Sequence, residues 1–276
     1  MPIPSSSRLA SEADTANRPS RLAVAARAFV SVLSLLAGFT LAGFGTPAKC
    51  ATTISPVIID VPADGRAIVT VRNDRASEVL YQVTVLDWHV VDGADRYAAT
   101  QDFIASPPLF TLAPSASQIV RIGFRNPARQ PVERAYRLVL AEVPRPGDSA
   151  NEGGVVNFAM QYLLPVFVAP TGRGAKPSLT WSLRADGGAV VVRADNPGTS
   201  RTALNMVGLS SQPGADAAPE FVNRQRVTVL ARSWREWRFS MPDDKKNLPW
   251  HIVVLNNGSD AMMVVPDAEM RPATSR

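Results

Sequence analysis

The chain has 276 residues and is 46% hydrophobic, enough for one large domain or two ordinary ones with packed cores. Its formal charge of +5 is largely local: Arg8, Arg18, Arg21, Arg27 and Lys49, against Glu12 and Asp14, precede residue 51, and without them the charge is +2. No Lys/Arg stripe interleaved with aromatics remains, which argues against nucleic acid as a partner, and a single cysteine, Cys50, argues against a disulfide framework.

In chain order, the first segment reads as a targeting sequence. Basic residues precede the apolar run 28–45 (AFVSVLSLLAGFTLAGFG), and small residues follow at 46–51 (TPAKCA), the order of a secretory signal. Cleavage after Cys50 places Ala48 at the −3 position. An uncleaved anchor is the alternative, because 18 apolar residues are borderline for a span. Residues 1–51 are therefore assigned to a signal with a long polar leader. The mature chain is expected in an oxidising exported compartment, without cysteine and without an integral membrane segment.

Residues 52–170 read as β throughout. The stretch 66–72 (RAIVTVR) puts Ala67, Val69 and Val71 on one face. Residues 79–88, 118–124 and 135–143 alternate likewise, and clusters such as PADG, NDRAS, DGAD and NPARQP separate them. Strands at this spacing predict an antiparallel sandwich. A charged, Gly-containing linker, TGRGAKP (171–177), precedes a second β pattern with strands expected at 189–194, 204–209, 226–230, 234–239, 251–255 and 261–265. The prediction is all-β: two sandwich domains at 52–168 and 176–268 and a loose tail at 269–276, with no clear internal sequence repeat.

Catalytic chemistry is hard to find. His89 and His251 fall in different predicted domains and read as partly buried structural histidines. There is no nucleophile-elbow serine, no phosphate-cradling glycine loop and no metal-ligand spacing, so no catalytic residue, metal or cofactor is assigned. Met262 and Met263 are adjacent, and in a strand they point to opposite faces. The run ARSWREWRF (231–239) reads either as a docking patch for an acidic partner or as a solvated face with Arg stems over Trp.

The most informative stretch is 155–170, VVNFAMQYLLPVFVAP. Val156, Phe158, Met160 and Tyr162 share one parity, so a strand puts four large side chains on one face, and the segment then becomes continuously apolar. It follows a polar loop, RPGDSANEGG. Such a strand can pair with its own sheet and with another chain's.

Several ordered motifs in 52–265 resemble the PapD-like periplasmic pilus chaperones: SPPLFTLAPSASQIVRIGFR (106–125), ERAYRLVLAEVP (133–144), the alternating segment after them, and VVVRADNPGTSRTALNMVGLS (190–210). The YLLPVFVAP ending is similar to the archaic, spore-coat-U-type branch. The resemblance implies two immunoglobulin-like sandwiches in a boomerang arrangement and no enzyme activity. It also implies donor-strand complementation of pilus subunits, which are incomplete sandwiches, in the periplasm and delivery to an outer-membrane usher.

By resemblance the lent strand is 155–168, with Val156, Phe158, Met160, Tyr162 and Leu164 facing the subunit. Ile54, Val57 and Ile59 would lie on an edge strand beside it. The family's cations for the subunit's terminal carboxylate fall on Pro56 and Pro165 here, so another cation must serve: Arg137 first, because it lies on the strand expected next to the lent one, with Arg121 and Arg125 behind it. The family's buried cleft arginine falls on Ala169. Two rivals stay open on the residues alone: a secreted two-sandwich binding or adhesion module, and a hydrolase using Asp87 or Glu142.

Overall fold

A computed structural model of the protein describes residues 52–62, 64–125, 130–144, 159–171, 174–214, 218–245, 248–256, 263–264 and 269–271. The expected signal segment, Val156, Phe158 and Met262 lie outside the described residues.

Period-two patterning builds the first sandwich. Its strands are β1 (Thr52–Ser55), β2 (Ile59–Val61), β3 (Arg66–Asn73), β4 (Val79–Val91), β5 (Ala94–Ala99), β6 (Phe103–Ser106), β7 (Leu109–Leu112), β8 (Ser117–Phe124), β9 (Arg134–Glu142) and β10 (Gln161–Val168). They form one sheet in the order β1-β3-β8-β6 and another in the order β2-β10-β9-β4-β5, with β7 also on β4. On β3 the alternation is carried out literally: Val69 and Val71 are each 1% exposed, and Ile68 between them is 56% exposed. The two inner faces meet in one core around Tyr81, Ile122, Tyr136 and Leu138. The two tyrosine hydroxyls find partners inside it, Thr52 Oγ1 for Tyr81 and Asp102 for Tyr136, each at 2.7 Å.

The second sandwich contains β11 (Thr180–Asp186), β12 (Ala189–Asn196), β13 (Thr202–Ser210), β14 (Phe221–Asn223), β15 (Val227–Val229), β16 (Ser233–Ser240), β17 (His251–Asn256), β18 (Met263–Val264) and β19 (Glu269–Arg271). Its sheets run β16-β12-β11-β19 and β14-β13-β17-β18, with β15 also on β13. They close on Val192, Leu204, Trp237 and Ile252. The fold is all-β, two immunoglobulin-like sandwiches; the described residues contain one 3-10 turn, Asp243–Lys245, and no helix long and apolar enough to cross a membrane.

Three expectations change. Residues 269–271 are not part of a loose tail: they add a parallel strand to β11 at Ser182, Leu183 and Arg184, satisfying an edge that would otherwise be bare. Residues 54–60 do not form a single strand. Pro56 has no N–H for a ladder, and the chain changes sheet there, from β1 on β3 to β2 on β10. Nor is ARSWREWRF a solvated face or a free patch. Trp237 is 6% exposed and stacks on Trp181, and Arg235 is 8% exposed and reaches into the first sandwich. The remaining Trp234 lies under the Arg193 guanidinium at 3.9 Å.

His89 is a surface side chain held by Asp87 at 3.0 Å, more exposed than the sequence suggested, and His251 is half-buried on β17. Glu142 is tied to Arg75 at 2.5 Å. Among the described residues no cluster of metal-ligating side chains occurs.

A half-open strand leading into a cationic cleft

Strand β10 is paired on one side along its whole length. Gln161 to Val168 run antiparallel to Ala141 to Arg134 of β9. On its other side β2 covers only Val166, Phe167 and Val168, in parallel. Among the described residues, the edge of 161–165 therefore carries no strand.

Burial follows the same division. Val168, Val166 and Leu164 are 4%, 0% and 7% exposed, Tyr162 is half-buried against the core, and Met160 is 44% exposed. One row of side chains thus emerges step by step from its own sandwich toward the N-terminal end of β10. Leu163, on the opposite parity, is 40% exposed. Val156 and Phe158 would continue the row but lie outside the described residues.

The other sequence-predicted residues are now placed. Ile54 is half-buried on β1 opposite Val71. Ile59 is buried opposite Val166, and Val57, 61% exposed, stands between them at the mouth of a cleft. Arg121, opposite Ile68 on β8, and Arg125, just beyond that strand, belong to the other sheet. Arg137 stands on β9 opposite Pro165 and lines the cleft.

The cleft has a volume of about 820 Å³ and both sandwiches line it, the first through Val57, Arg137 and Pro165, the second through Arg201 and Arg226. Its floor is aromatic. Trp88 lies between Tyr97 and Phe167, with centroid separations of 6.5 and 5.8 Å. Arg137 stacks on Trp88 at 3.8 Å and reaches to within 5.8 Å of Tyr97. Its Nε is buried with no hydrogen-bond partner. Pro165, the residue opposite, has no N–H to shape the site either.

Arg201 is held quite differently. It stacks on Phe167 at 3.6 Å, and its guanidinium meets Glu133 at 2.5 Å and Asp60 at 2.6 Å. Burial pushes the Glu133 carboxyl above its ordinary 4.5, and the neighbouring Arg201 charge pulls it part of the way back. Trp88, Ala135 and Phe167 of the first sandwich pack with Leu230 of the second, so the cleft has an apolar hinge side.

Both acids at the cleft, Asp60 and Glu133, are thus spent on one arginine. Arg137 and Arg226 have no acidic partner among the described residues, which leaves the cleft positive. Sequence reading reached Arg137 through strand adjacency. It missed Arg201, which joins the second sandwich to Glu133 and Asp60 of the first. No local pattern marks Arg201 or Arg226; each matters only because the second sandwich brings it to the first.

Residues 52–173 match the family model for the pili and flagellar-assembly chaperone, PapD N-terminal domain. The chain is 26% identical over 177 residues to chaperone protein LpfB of Salmonella typhimurium, covering 63% of this chain and 71% of LpfB. Among solved structures it is similar to a chain of the CsuC–CsuE chaperone–tip subunit pre-assembly complex from the archaic chaperone–usher Csu pili of Acinetobacter baumannii. That match has a TM-score of 0.59 and 19% identity over 82% of this chain and 100% of the other. It is also similar to the Escherichia coli chaperone DraB, with a TM-score of 0.51 and 18% identity over 79% and 96% of the two chains. Residues 52–173, the first of the two immunoglobulin-like sandwiches and the start of the linker after it, are thus similar to the PapD N-terminal domain of pili and flagellar-assembly chaperones.

Proposed function

We propose that this protein is a periplasmic chaperone of the archaic type. It holds incomplete immunoglobulin-like pilus subunits by lending them the strand that begins near residue 155, and delivers them to an outer-membrane usher. The observation that carries the reading is the half-open edge of β10, with its emerging row of apolar side chains and a positive cleft at its inner end.

The edge dictates how a visiting strand can sit. Its backbone pairs with residues 161–165 and must stop where β2 begins, which is the mouth of the cleft at Val57. Running parallel to β10, it brings its C-terminus there; running antiparallel, it brings its N-terminal ammonium. The uncompensated Arg137 favours a carboxylate, and so the parallel arrangement. Val156, Phe158, Met160 and Tyr162 would then fill the subunit's open core, at about 1.5–3 kcal/mol for each side chain fully buried. Leu164, already 7% exposed within its own core, marks where the lent row ends and the chaperone's own packing starts.

No chemical step is involved: the activity is binding and release, and the protein is not an enzyme. Met160→Asp and Phe158→Asp test the assignment. Each charge would enter a subunit core unpaired, so subunit should no longer co-purify from periplasmic extract, and circular dichroism should still report a folded chaperone. Undiminished co-purification with both variants would refute the lent strand and favour a module that binds through its loops.

A further inference from the structure

Arg137 has an unusual support. Its Nε is buried without a hydrogen-bond partner, and what fixes the guanidinium is the face of Trp88, 3.8 Å away. The orientation of that indole therefore decides where the cation points.

Trp88 is 4% exposed and donates through Nε1 to Asp95 Oδ1 at 2.7 Å. Asp95 stands on β5, across the β4–β5 hairpin. The same Oδ1 accepts a hydrogen bond from Nη2 of Arg235, a residue of the second sandwich. Arg235 is itself held on all sides. Its Nη1 donates to the Gly93 carbonyl at 2.8 Å and its Nε to the Thr228 carbonyl at 3.3 Å. The hairpin tip presses directly on the second sandwich. Gly93 has φ 73°, and a Cβ there would fall 2.5 Å from the Trp234 ring. Among the described residues no other polar group meets the indole N–H.

We propose that Arg235 is a positioning residue for the carboxylate site. Arg235 fixes Asp95, Asp95 fixes the plane of Trp88, and that plane holds Arg137 facing the cleft. The second sandwich thus acts on the anchor without touching it, and the anchor is set only while the two sandwiches are docked through the β4–β5 hairpin. By reciprocity, a carboxylate bound at Arg137 stabilises that docking. This inference rests on the reading of Arg137 as the anchor.

The test compares an acetylated, alternating Thr-Val peptide ending in a free carboxylate with its C-terminal amide, titrated into the full chain. The ratio of the two affinities isolates the carboxylate from strand pairing. The wild type should prefer the acid by about tenfold or more, the size of a charge-assisted hydrogen bond. Arg137→Ala should abolish the preference; if the preference survives, the anchor reading itself fails.

Asp95→Leu separates positioning from charge. Removing a negative charge near the cleft strengthens acid preference on electrostatics alone, and positioning predicts the opposite, a loss of severalfold. Asp95→Asn keeps an acceptor for the indole and should retain most of the ratio. Trp88→Phe keeps the ring and loses the N–H, and Arg235→Ala frees Asp95; both should lose the ratio, and Arg235→Lys should recover part of it. These variants keep the question open to refutation if Asp95→Leu does not fold. Abolition by Arg137→Ala with the ratio unchanged or raised in Asp95→Leu, Trp88→Phe and Arg235→Ala would overturn the positioning role and leave the anchor standing.

Discussion

The two sandwiches share a device that their sequences hide. Asn73 ends β3 and Asn196 ends β12, and they are 0% and 1% exposed. Each donates its amide to the carbonyl four residues on, Ser77 at 2.8 Å and Ser200 at 2.9 Å. Each also reaches a distant segment: Leu112 and Ala113 carbonyls for Asn73, Val229 and Leu230 carbonyls for Asn196. Their Oδ1 atoms accept from Arg75 N and from Ser178 and Gly198 N. The turns NDRAS and NPGTS have only Asn and Ser in common, so the equivalence is one of hydrogen bonds and not of sequence.

The sandwiches part at their last strands. Among the described residues β10 pairs with β9 at eight positions and keeps an edge half bare, whereas β18 and β19, which end the second sandwich, pair with β17 and β11 at two and three. A shared plan secures folding, and the proposed lending falls to the copy whose closing strand is long and half bare.

The largest effect should come from breaking the shared part. Asn73→Ala and Asn196→Ala each strand several buried carbonyls and N–H groups, and each should cost about 3 kcal/mol or more. Calorimetry of the two variants measures this directly. A cost in one sandwich less than half that in the other would show that the two asparagines do not do the same job.

Next in size is the part that differs. Arg137→Ala should weaken subunit binding by about tenfold or more, the loss of a charge-assisted hydrogen bond, with little change in melting temperature. Arg121→Ala, on the opposite sheet, should leave binding near wild type. Equal affinities for the two variants in a purified subunit titration would remove Arg137 from the site.

How far this was legible in sequence varies with the range of the interaction. β3, β8 and β9 follow from alternation because one face of each is buried and the other is wet. β5 (ADRYAA) gave no signal because it is an edge strand with mostly exposed residues, and β6 and β7 are four residues each, split by Pro107 and Pro108. Arg137 was within reach because the family resemblance called for a cation and the expected strand order placed its strand beside the lent one. Arg201, Arg226 and Arg235 were not, because nothing local distinguishes an arginine that crosses to another sandwich from one that faces water. The role of Pro56 was half legible: its side chain carries no cation and so cannot be an arginine-type anchor, but that does not foretell a change of sheet.

The smallest effect concerns pH, and here the boundary between the sandwiches and the surface of the second should respond with opposite sign. On the second sandwich, hydrogen bonds from Lys245 and Ser211 pull the Glu220 carboxyl down to about 2 from its ordinary 4.5. The folded state holds that proton more weakly than the unfolded chain does, so this contribution is complete above pH 4.5 and is lost as pH falls toward 2. At the boundary, burial raises Glu133 above 4.5, so the folded state holds its proton more tightly, and stability declines as pH rises from 4.5 through the raised value. The acid limb of melting temperature against pH should therefore be shallower in Glu220→Gln, and the decline above 4.5 shallower in Glu133→Gln. Glu220 lies at the surface, so its limb should also shrink with added salt, whereas the Glu133 limb should persist because solvent ions do not screen a buried carboxyl to the same degree. Curves for the two variants that run parallel to wild type at both salt concentrations would mean that neither carboxyl distinguishes the boundary from the surface.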